Sequence, residues 1–289
     1  MNYILHILIM IEIYIILALS LNLLLGLTGL FSLAHAAFYG SGAYICTLLM
    51  MKLGLNYFAA LSVAVAGTML LAIIVSLPSL RLKGDYFILA TLAFQICIFS
   101  ILYNWIPVTR GPYGIPGIPS PGLFGFEISE IWQFFIFGLF FSVLVMYISG
   151  KLYSSPFGRV LKSIRDNELA VLAMGKDITK FKVVAFVIAG GIAAIAGTLF
   201  AVYVSYIDPT SFTLDESIFI VTIIVIGGTG NLKGPIAGAF LLLIIPELLR
   251  FLRIPDTVAP NIRQMLYGIL LIIIIRFRSR GMLGEYEYE

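Results

Sequence analysis

The polar stretch GKLYSSPFGRVLKSIRDNELAVLAMGKDITKFK, residues 150–182, separates apolar stretches that are long enough to cross a bilayer. It carries seven Lys or Arg residues and three Asp or Glu residues. At roughly 2.5–3.5 kcal/mol per charged residue at the bilayer centre, burying all of them in lipid would cost at most about 25–35 kcal/mol. We therefore expect this stretch, called the polar island below, to lie in water or at the membrane interface. Its excess of basic residues predicts the cytoplasmic side.

The composition excludes an ordinary soluble domain. Of the 289 residues, 61% are hydrophobic and 11% are charged, and the mean hydropathy is +1.05. Apolar residues in that proportion exceed what a water-exposed globule can bury. Anionic lipid accounts for the net charge of +3, so no nucleic-acid partner is predicted. The chain is predicted to be an all-α polytopic membrane protein.

Apolar stretches along the chain predict eight or nine transmembrane helices, some of them interrupted or re-entrant. The stretches lie near residues 3–25, 29–51, 57–77, 86–105, 131–149, 183–205, 217–229, 235–252 and 262–276. They predict a single transmembrane domain over residues 1–289. Its predicted polar parts are a cytoplasmic loop at about 150–182 and a short C-terminal tail at 277–289.

Basic residues outside the apolar stretches give the predicted orientation, because they concentrate in the cytoplasm. They are Arg81, Lys83, those of the polar island, Arg276, Arg278 and Arg280. The segments 106–130 and 206–217 are then external, and 206–217 has acids but no Lys or Arg. The N-terminus is external if 29–51 is a full span and cytoplasmic if part of it is re-entrant. The sequence leaves both open.

Two glycine-rich segments interrupt the pattern of plain apolar helices. They read GLTGLFSLAHAAFYGSG at 26–42 and IGGTGNLKGPIAG at 226–238. Polar and glycine-rich backbone at membrane depth is stable where it is buried in protein or lines a cavity, so these segments predict broken helices, an internal repeat and a central path. The candidate path residues are Gly29, Ser32, His35, Gly40, Gly42, Gly227, Gly228 and Gly230.

Close helix packing is the alternative interpretation of the same glycines, and both can hold. Gly230, Gly234 and Gly238 form two overlapping GxxxG steps. A second set of small residues at helical spacing consists of Ala189, Ala193, Gly197 and Ala201. Small residues at this spacing let two helix backbones approach each other closely.

Four further features of the sequence carry interpretations of their own. His35 can act along the path, or it can be a buried histidine satisfied by a backbone carbonyl. Glu12, inside the first apolar stretch, is either functional or a protonated or paired carboxyl. Asp85 is expected to cap the helix that follows it. The proline-rich loop 107–122 is expected to be a semi-rigid external cap without helix or central strand.

The polar island has the spacing of an amphipathic helix. Val160, Ile164 and Val171 fall on one face, and the basic residues take the other. Ser155 and Pro156 are typical of a helix start, and Gly175 is a typical stop. Such a helix can lie on the membrane surface, dock against the chain's own cytoplasmic face, or insert into a groove on another protein.

The wording of several segments adds a resemblance to a known family. The segments are SSPFGRVLKSIRDNELAVLAMGKDITKFKVVAF at 154–186, LALSLNLLLGLTGLFSLAHAAFYGSGAY at 17–44, RLKGDYFILATLAF at 81–94, TRGPYGIPGIP at 109–119 and IGGTGNLKGPIAGA at 226–239. In this order they resemble the LivM-like permease subunits of branched-chain amino acid ABC transporters. The resemblance implies an ABC importer permease in the cell inner membrane. Its implied partners are a second related permease, two ATPase subunits and an extracytoplasmic substrate-binding protein.

The resemblance also implies a role for the polar island as the loop that contacts the ATPase. The implied contact residues are Gly158, Arg159, Arg165, Glu168, Ala170 and Gly175. Importer permeases commonly carry E-A-A-x3-G there, whereas this chain reads E-L-A-x4-G from Glu168 to Gly175. The extra residue rotates Gly175 by about a hundred degrees on a helix. Arg110 is another departure, because the family often has glycine at that position.

The sequence offers no chemistry of its own for driving transport. It contains no GxxxxGK[ST] phosphate loop, no metal-ligand cluster and no catalytic constellation. ATP and magnesium are therefore expected on the partner subunits. Related permeases serve urea, short amides and other amino acids, so these substrates stay open. An ion-coupled secondary transporter would explain broken helices as well, but it leaves the polar island unexplained. A channel or a membrane enzyme would need a selectivity ring or clustered ligands.

Overall fold

The computed structural model describes residues 2–123, 126–128, 130–251, 259–277 and 281–284. The helices of these ranges are α1 (Asn2–Thr28), α2 (His35–Leu53), α3 (Tyr57–Ser79), α4 (Asp85–Asn104), α5 (Ile106–Thr109), α6 (Ile131–Ser154), α7 (Pro156–Asp166), α8 (Glu168–Ala173), α9 (Ile178–Val204), α10 (Leu214–Gly227), α11 (Lys233–Phe251) and α12 (Ala259–Phe277). Within them, α1, α2, α3, α4, α6 and α9 are long and apolar enough to cross a membrane. The prediction of a helical, polytopic membrane protein is confirmed.

Helix α1 lies at the centre of the bundle. It is apolar on all sides, and every residue from Ile15 to Thr28 is buried. A helix without a polar face needs partners all round. Accordingly, α1 packs against α6, α9, α10 and α11.

Small residues bring α2 and α9 into backbone contact. Ala189, Ala193 and Ala201 of α9 are fully buried, and Gly42 of α2 lies directly against Ala194. A methyl group added at Gly197 would overlap the carbonyl of Tyr39. The predicted stripe of small residues on this helix is therefore a packing surface.

A second close approach joins α10 to α11. Gly227 of α10 packs directly against Gly234 and Gly238 of α11. The predicted GxxxG step that begins at Gly230 is wrong, because Gly230 lies in the turn before α11 rather than on that helix. Close packing of glycines is still found here, but Gly227 rather than Gly230 is the residue that packs against Gly234 and Gly238.

The chain begins at the end of the bundle opposite to the polar island. There the His6 ring nitrogen Nδ1 lies 2.7 Å from the Tyr203 hydroxyl, and the Tyr3 hydroxyl donates to Glu247. At the island end, the Asn231 amide donates to the carbonyl of Leu283, close to the end of the described chain. The first and last described residues thus lie at opposite ends of the bundle.

The proline-rich loop is more structured than the sequence indicates. It contains α5, a 3-10 turn at Gly111–Tyr113 and strand β1 (Ile115–Pro116), which pairs antiparallel with β4 (Tyr206–Ile207). A second short pair consists of β2 (Gly122–Leu123) and β3 (Phe126–Glu127). Arg110 adopts φ 61°, a left-handed conformation in which glycine would be less strained. The loop ties α4 to the segment that follows α9.

We expect Gly197→Ala to weaken the bundle. The added methyl group meets the Tyr39 carbonyl and lies 2.9 Å from the Ala43 nitrogen, so α2 and α9 must separate. Overpacking of this kind costs about 1–3 kcal/mol, which is measurable as a lower unfolding temperature in detergent. Gly268→Ala is the matched control, because no atom lies within 4 Å of its added methyl group. Equal stability of the two variants would contradict the packing assignment.

Candidate functional site

Two segments that interrupt the α-helices enter the bundle and meet beside α4, and the second of them contains a short 3-10 helix at Pro209–Phe212. The first interruption, residues 29–34, joins α1 to α2, and the second, residues 205–213, joins α9 to α10. The first agrees with the predicted break in 26–42. The second was predicted as an external segment, and the glycine-rich break at 228–232 instead lies at the island end.

The free N–H groups at the start of α2 find side-chain acceptors on other helices. The Leu33 N–H donates to Thr91 Oγ1 at 3.1 Å, and the Ala36 N–H donates to Ser217 Oγ at 2.9 Å. The Ala37 N–H donates to Gln95 Oε1 at 2.6 Å. The first turn of a helix lacks the usual i−4 partners for these groups, and a bilayer core offers no water. The Ala37 N–H also bonds to the Ala34 carbonyl at 3.1 Å. The side chains of α4 and α10 take the place of that water.

Gln95 connects the two interruptions. Its Oε1 accepts from α2, while its Nε2 donates to the Phe212 carbonyl in the second interruption at 2.9 Å. The side chain is buried, with 1% of the residue exposed. One amide thus satisfies a donor and an acceptor from segments more than a hundred residues apart, and we call this cluster the junction.

His35 stands at the edge of the junction, at the start of α2. Ser20 Oγ donates its hydrogen to the Ala189 carbonyl at 2.7 Å. It also lies 2.8 Å from His35 Nε2. Because the hydroxyl has only one hydrogen, the His35 Nε2–H is the donor in this second bond. The histidine therefore reaches a backbone carbonyl through one hydroxyl. Its Nδ1 is buried and has no hydrogen-bond partner in the described part of the chain.

The predicted path residues separate into two groups. Gly29, Ser32, His35, Gly40 and Gly42 lie in the first interruption or on α2, and Gly40 packs against the Phe212 ring of the second interruption. The other group, Gly227, Gly228 and Gly230, lies at the end of α10 and in the following turn, away from the junction.

Sequence reasoning missed the side chains that hold the junction together. These are Ser20, Thr91, Gln95 and Ser217. Thr91 and Gln95 are polar and one helical turn apart in the apolar middle of α4, and this spacing was the signal available. Polar side chains inside membrane helices face protein or a water-filled path rather than lipid.

The polar island folds as two short helices rather than one. Ser155 caps α7 by accepting from the Gly158 N–H at 3.0 Å, and Pro156 is the first residue of the helix, as predicted. Asn167 ends α7 and caps α8 by accepting from the Ala170 N–H. Gly175, with φ 73°, follows the end of α8. The predicted stop is therefore in place.

The inner face of the island docks against the chain itself, as one of the three interpretations predicted. Leu161, Ile164 and Val171 are buried, whereas α8 leaves Leu169 and Leu172 exposed to 77% and 54%. Asp177 caps α9, and its bond from the Lys180 backbone N–H lowers the pKa of this carboxyl. The island thus has an inner face that is packed and an outer face that is partly apolar.

Arg165 links the polar island to the first interruption. Its Nη1 donates to the Gly26 carbonyl near the end of α1 at 2.6 Å, and its Nε pairs with Asp166 at 3.1 Å. Its side chain is 13% exposed. Of the six predicted contact residues, Arg165 and Gly158 face the chain itself, and Glu168 pairs with Lys182. Arg159, Ala170 and Gly175 are exposed on the island.

Two other sequence predictions have clear outcomes. Glu12 is buried with 5% exposure, and its carboxyl oxygens lie beside Gly138 of α6 without a hydrogen-bond partner in the described residues. The prediction that Asp85 caps α4 is wrong. Gly84 occupies the N-cap position, and Asp85 lies in the first turn without a side-chain cap bond.

Comparisons with known proteins match the whole length of the fold. The family model described as "Branched-chain amino acid transport system / permease component" matches residues 3–275. The chain is 34% identical to the high-affinity branched-chain amino acid transport system permease protein LivM of Salmonella typhimurium and to that of Escherichia coli, with 94% of this chain and 68% of each relative covered. It is 30% identical to the probable LivM of Methanocaldococcus jannaschii, with 94% and 90% covered. No solved structure matches the chain.

We expect Gln95→Met to destabilise the junction. The substitution keeps the side-chain size but removes the donor to the buried Phe212 carbonyl, and it leaves the Ala37 N–H with only its 3.1 Å bond to the Ala34 carbonyl. Each buried unpaired group costs about 1–3 kcal/mol, so the unfolding temperature in detergent should fall. Asn104→Leu is the control, because that exposed amide on the same helix bonds only to the Ser100 carbonyl. Unfolding temperatures that match the control would show that Gln95 does not hold the interruptions together.

Proposed function

The chain belongs to the family of permease components of branched-chain amino acid transport systems, and from this premise we propose that it is the membrane-spanning subunit of an ATP-binding cassette importer for leucine, isoleucine and valine. The substrate crosses at the junction, where two interrupted segments meet inside the bundle. ATP and magnesium bind to separate ATPase subunits, which supply the energy.

The contact that carries this proposal is the Arg165 bond to Gly26. It joins a polar loop at one end of the bundle to the segment that leads into the junction. A displacement of the island therefore moves the end of α1 and the first interruption. Coupling of this kind requires that the partner contacts the island differently in its two states. ATP binding and hydrolysis in the partner would supply that difference.

The outer face of the island fits a protein partner. Leu169, Leu172 and Met174 form an exposed apolar patch beside the exposed Arg159 and Lys176. Apolar cores with basic rims are common in protein interfaces. We assign this patch to one ATPase subunit, while a sister permease brings the second ATPase. The substrate-binding protein docks at the opposite end, near the β1–β4 pair.

The proposed topology places the island end in the cytoplasm. The loop with Arg81 and Lys83, the polar island and the end of α12 with Arg276 all lie at that end, as basic segments of an inner-membrane protein do. The N-terminus is then external, because α1 begins at the opposite end. Nine helical segments enter the bilayer in this arrangement: α1, α2, α3, α4, α6, α9, α10, α11 and α12.

Two parts of this proposal have alternatives: the substrate and the energy source. Urea, short amides and other amino acids are the alternative substrates, and an ion-coupled carrier is the alternative class. Family membership favours the importer, as does a polar island with an outward apolar patch, for which an autonomous carrier has no use. The sequence of α1–α12 supplies no ATP site, so a partner must provide it.

We expect the chain, purified with its co-expressed ATPase subunits, sister permease and binding protein, to take up labelled leucine into proteoliposomes only when ATP is present. Isoleucine and valine should compete, and urea and short amides should not, since the apolar side chain is the shared feature of the substrates. Uptake that runs on an ion gradient without ATP would contradict the importer, and uptake blocked by urea would contradict the substrate assignment.

We expect Arg165→Met to uncouple ATP hydrolysis from leucine transport without dissociating the complex. Its side chain faces inward, so the ATPase subunits should still co-purify, but the loss of a charged hydrogen bond of about 1.5–3 kcal/mol should reduce leucine moved per ATP roughly tenfold or more. Leucine uptake and phosphate release measured in the same vesicles give this ratio.

Lys180→Met is the matched control for this variant. It removes a positive charge from the same island, at an exposed position in the first turn of α9 that pairs with Asp177 and does not reach Gly26. Its ratio of leucine to ATP should stay at the wild-type value. If both variants lose the ATPase subunits equally, Arg165 acts in partner binding and its role as an internal link is wrong.

A further inference from the structure

A cavity of about 490 Å³ opens at the island end of the bundle. Its wall combines three parts of the chain: the end of α1 with the first interruption at 28–31, the loop and helix start at 80–88, and the polar island, including Lys182. Its volume lies within the range of small-molecule sites. The cavity is separate from the junction side chains Gln95 and Ser217, which do not line it.

The cavity presents both signs of charge. Lys83 and Asp85 line it, and neither makes an ion pair or side-chain hydrogen bond in the described residues. Glu168 and Lys182 also line it but pair with each other. The cavity therefore offers one carboxylate and one ammonium group that are available to a ligand, beside the guanidinium of Arg165 in its wall.

Apolar side chains share the wall with these charged groups and with Thr28. Leu30, Phe31, Phe87 and Ile88 contribute to the wall, and Phe87 is almost fully buried. A site with a few charged groups beside an apolar wall suits a small ligand that has both characters. A ligand that is only an anion would be repelled by the Asp85 carboxylate, and a ligand that is only a cation would be repelled by the Lys83 ammonium group.

We propose that this cavity binds a free α-amino acid with an apolar side chain. Asp85 takes the ammonium group, Lys83 takes the carboxylate with Arg165 behind it, and the side chain lies against Leu30 and Phe31. The site receives the substrate after the junction and before its release at the island end. That the zwitterion is an amino acid rests on the proposed function, whereas the arrangement of Lys83, Asp85 and Arg165 around the cavity is seen in the structure itself.

Equilibrium binding of radiolabelled leucine to the purified complex in nanodiscs, without the external binding protein, tests the site. Leucine should bind at least about tenfold more tightly than leucinamide, which lacks the carboxylate, or 4-methylpentanoate, which lacks the ammonium group. Asp85→Asn should weaken leucine binding by a similar factor and leave 4-methylpentanoate unaffected. Lys83→Gln should weaken leucine but not leucinamide.

Asp215→Asn is the control, since it removes an exposed carboxylate from the first turn of α10, which does not line the cavity. Equal binding of leucine and 4-methylpentanoate would make this an anion site and overturn the proposal. Unchanged leucine binding in both Asp85→Asn and Lys83→Gln would overturn it as well.

ATP-driven uptake by the same preparations separates the two proposals. If wild-type vesicles accumulate leucine while the cavity variants bind it normally, the transport function stands and the site is wrong. If the cavity variants lose leucine binding but wild-type vesicles accumulate no branched-chain amino acid, the site stands and the proposed function is wrong.

Discussion

Backbone groups that leave a helix inside an apolar bundle must find partners within the protein, and the rest of the structure depends on this constraint. Residues 29–34 and 205–213 both interrupt the α-helices, and their backbone bonds go to other parts of the chain: Leu33 bonds to Thr91, and β4 pairs with β1. The Gln95 amide carries both a donor and an acceptor, so it bonds to the Ala37 N–H just after the first interruption and to the Phe212 carbonyl in the second. The two breaks are stable only side by side, which places the junction beside α4.

The close packing of α2 and α9 holds that junction together. Gly197 and the buried alanines of α9 bring the two backbones into contact, and the pairing of β1 with β4 fixes the chain where it turns back toward the junction. At the other end, Arg165 fastens the polar island to Gly26. The proposed coupling would therefore act through a hydrogen bond and packed helices.

Much of this could be predicted from particular residues. The apolar stretch predicted at 57–77 is α3 at Tyr57–Ser79, and Ser155 and Pro156 begin α7 as their chemistry indicates. The second interruption was missed because 206–217 has acids and a proline but no glycine run, which is typical of an external loop. Proline is tolerated on edge strands, so the proline-rich loop can still form β1 by pairing with β4.

The sequence by itself determined that the chain is a polytopic membrane protein and which family it resembles, and it predicted that the island stays out of the bilayer, since hydropathy, charge and motifs are local properties. Only the tertiary structure decided which side chains complete the junction and which way Arg165 points. Gln95 bonds to a carbonyl 117 residues away, and Ala36 to a hydroxyl 181 residues away. Such pairs arise from how helices pack, and no local pattern encodes them.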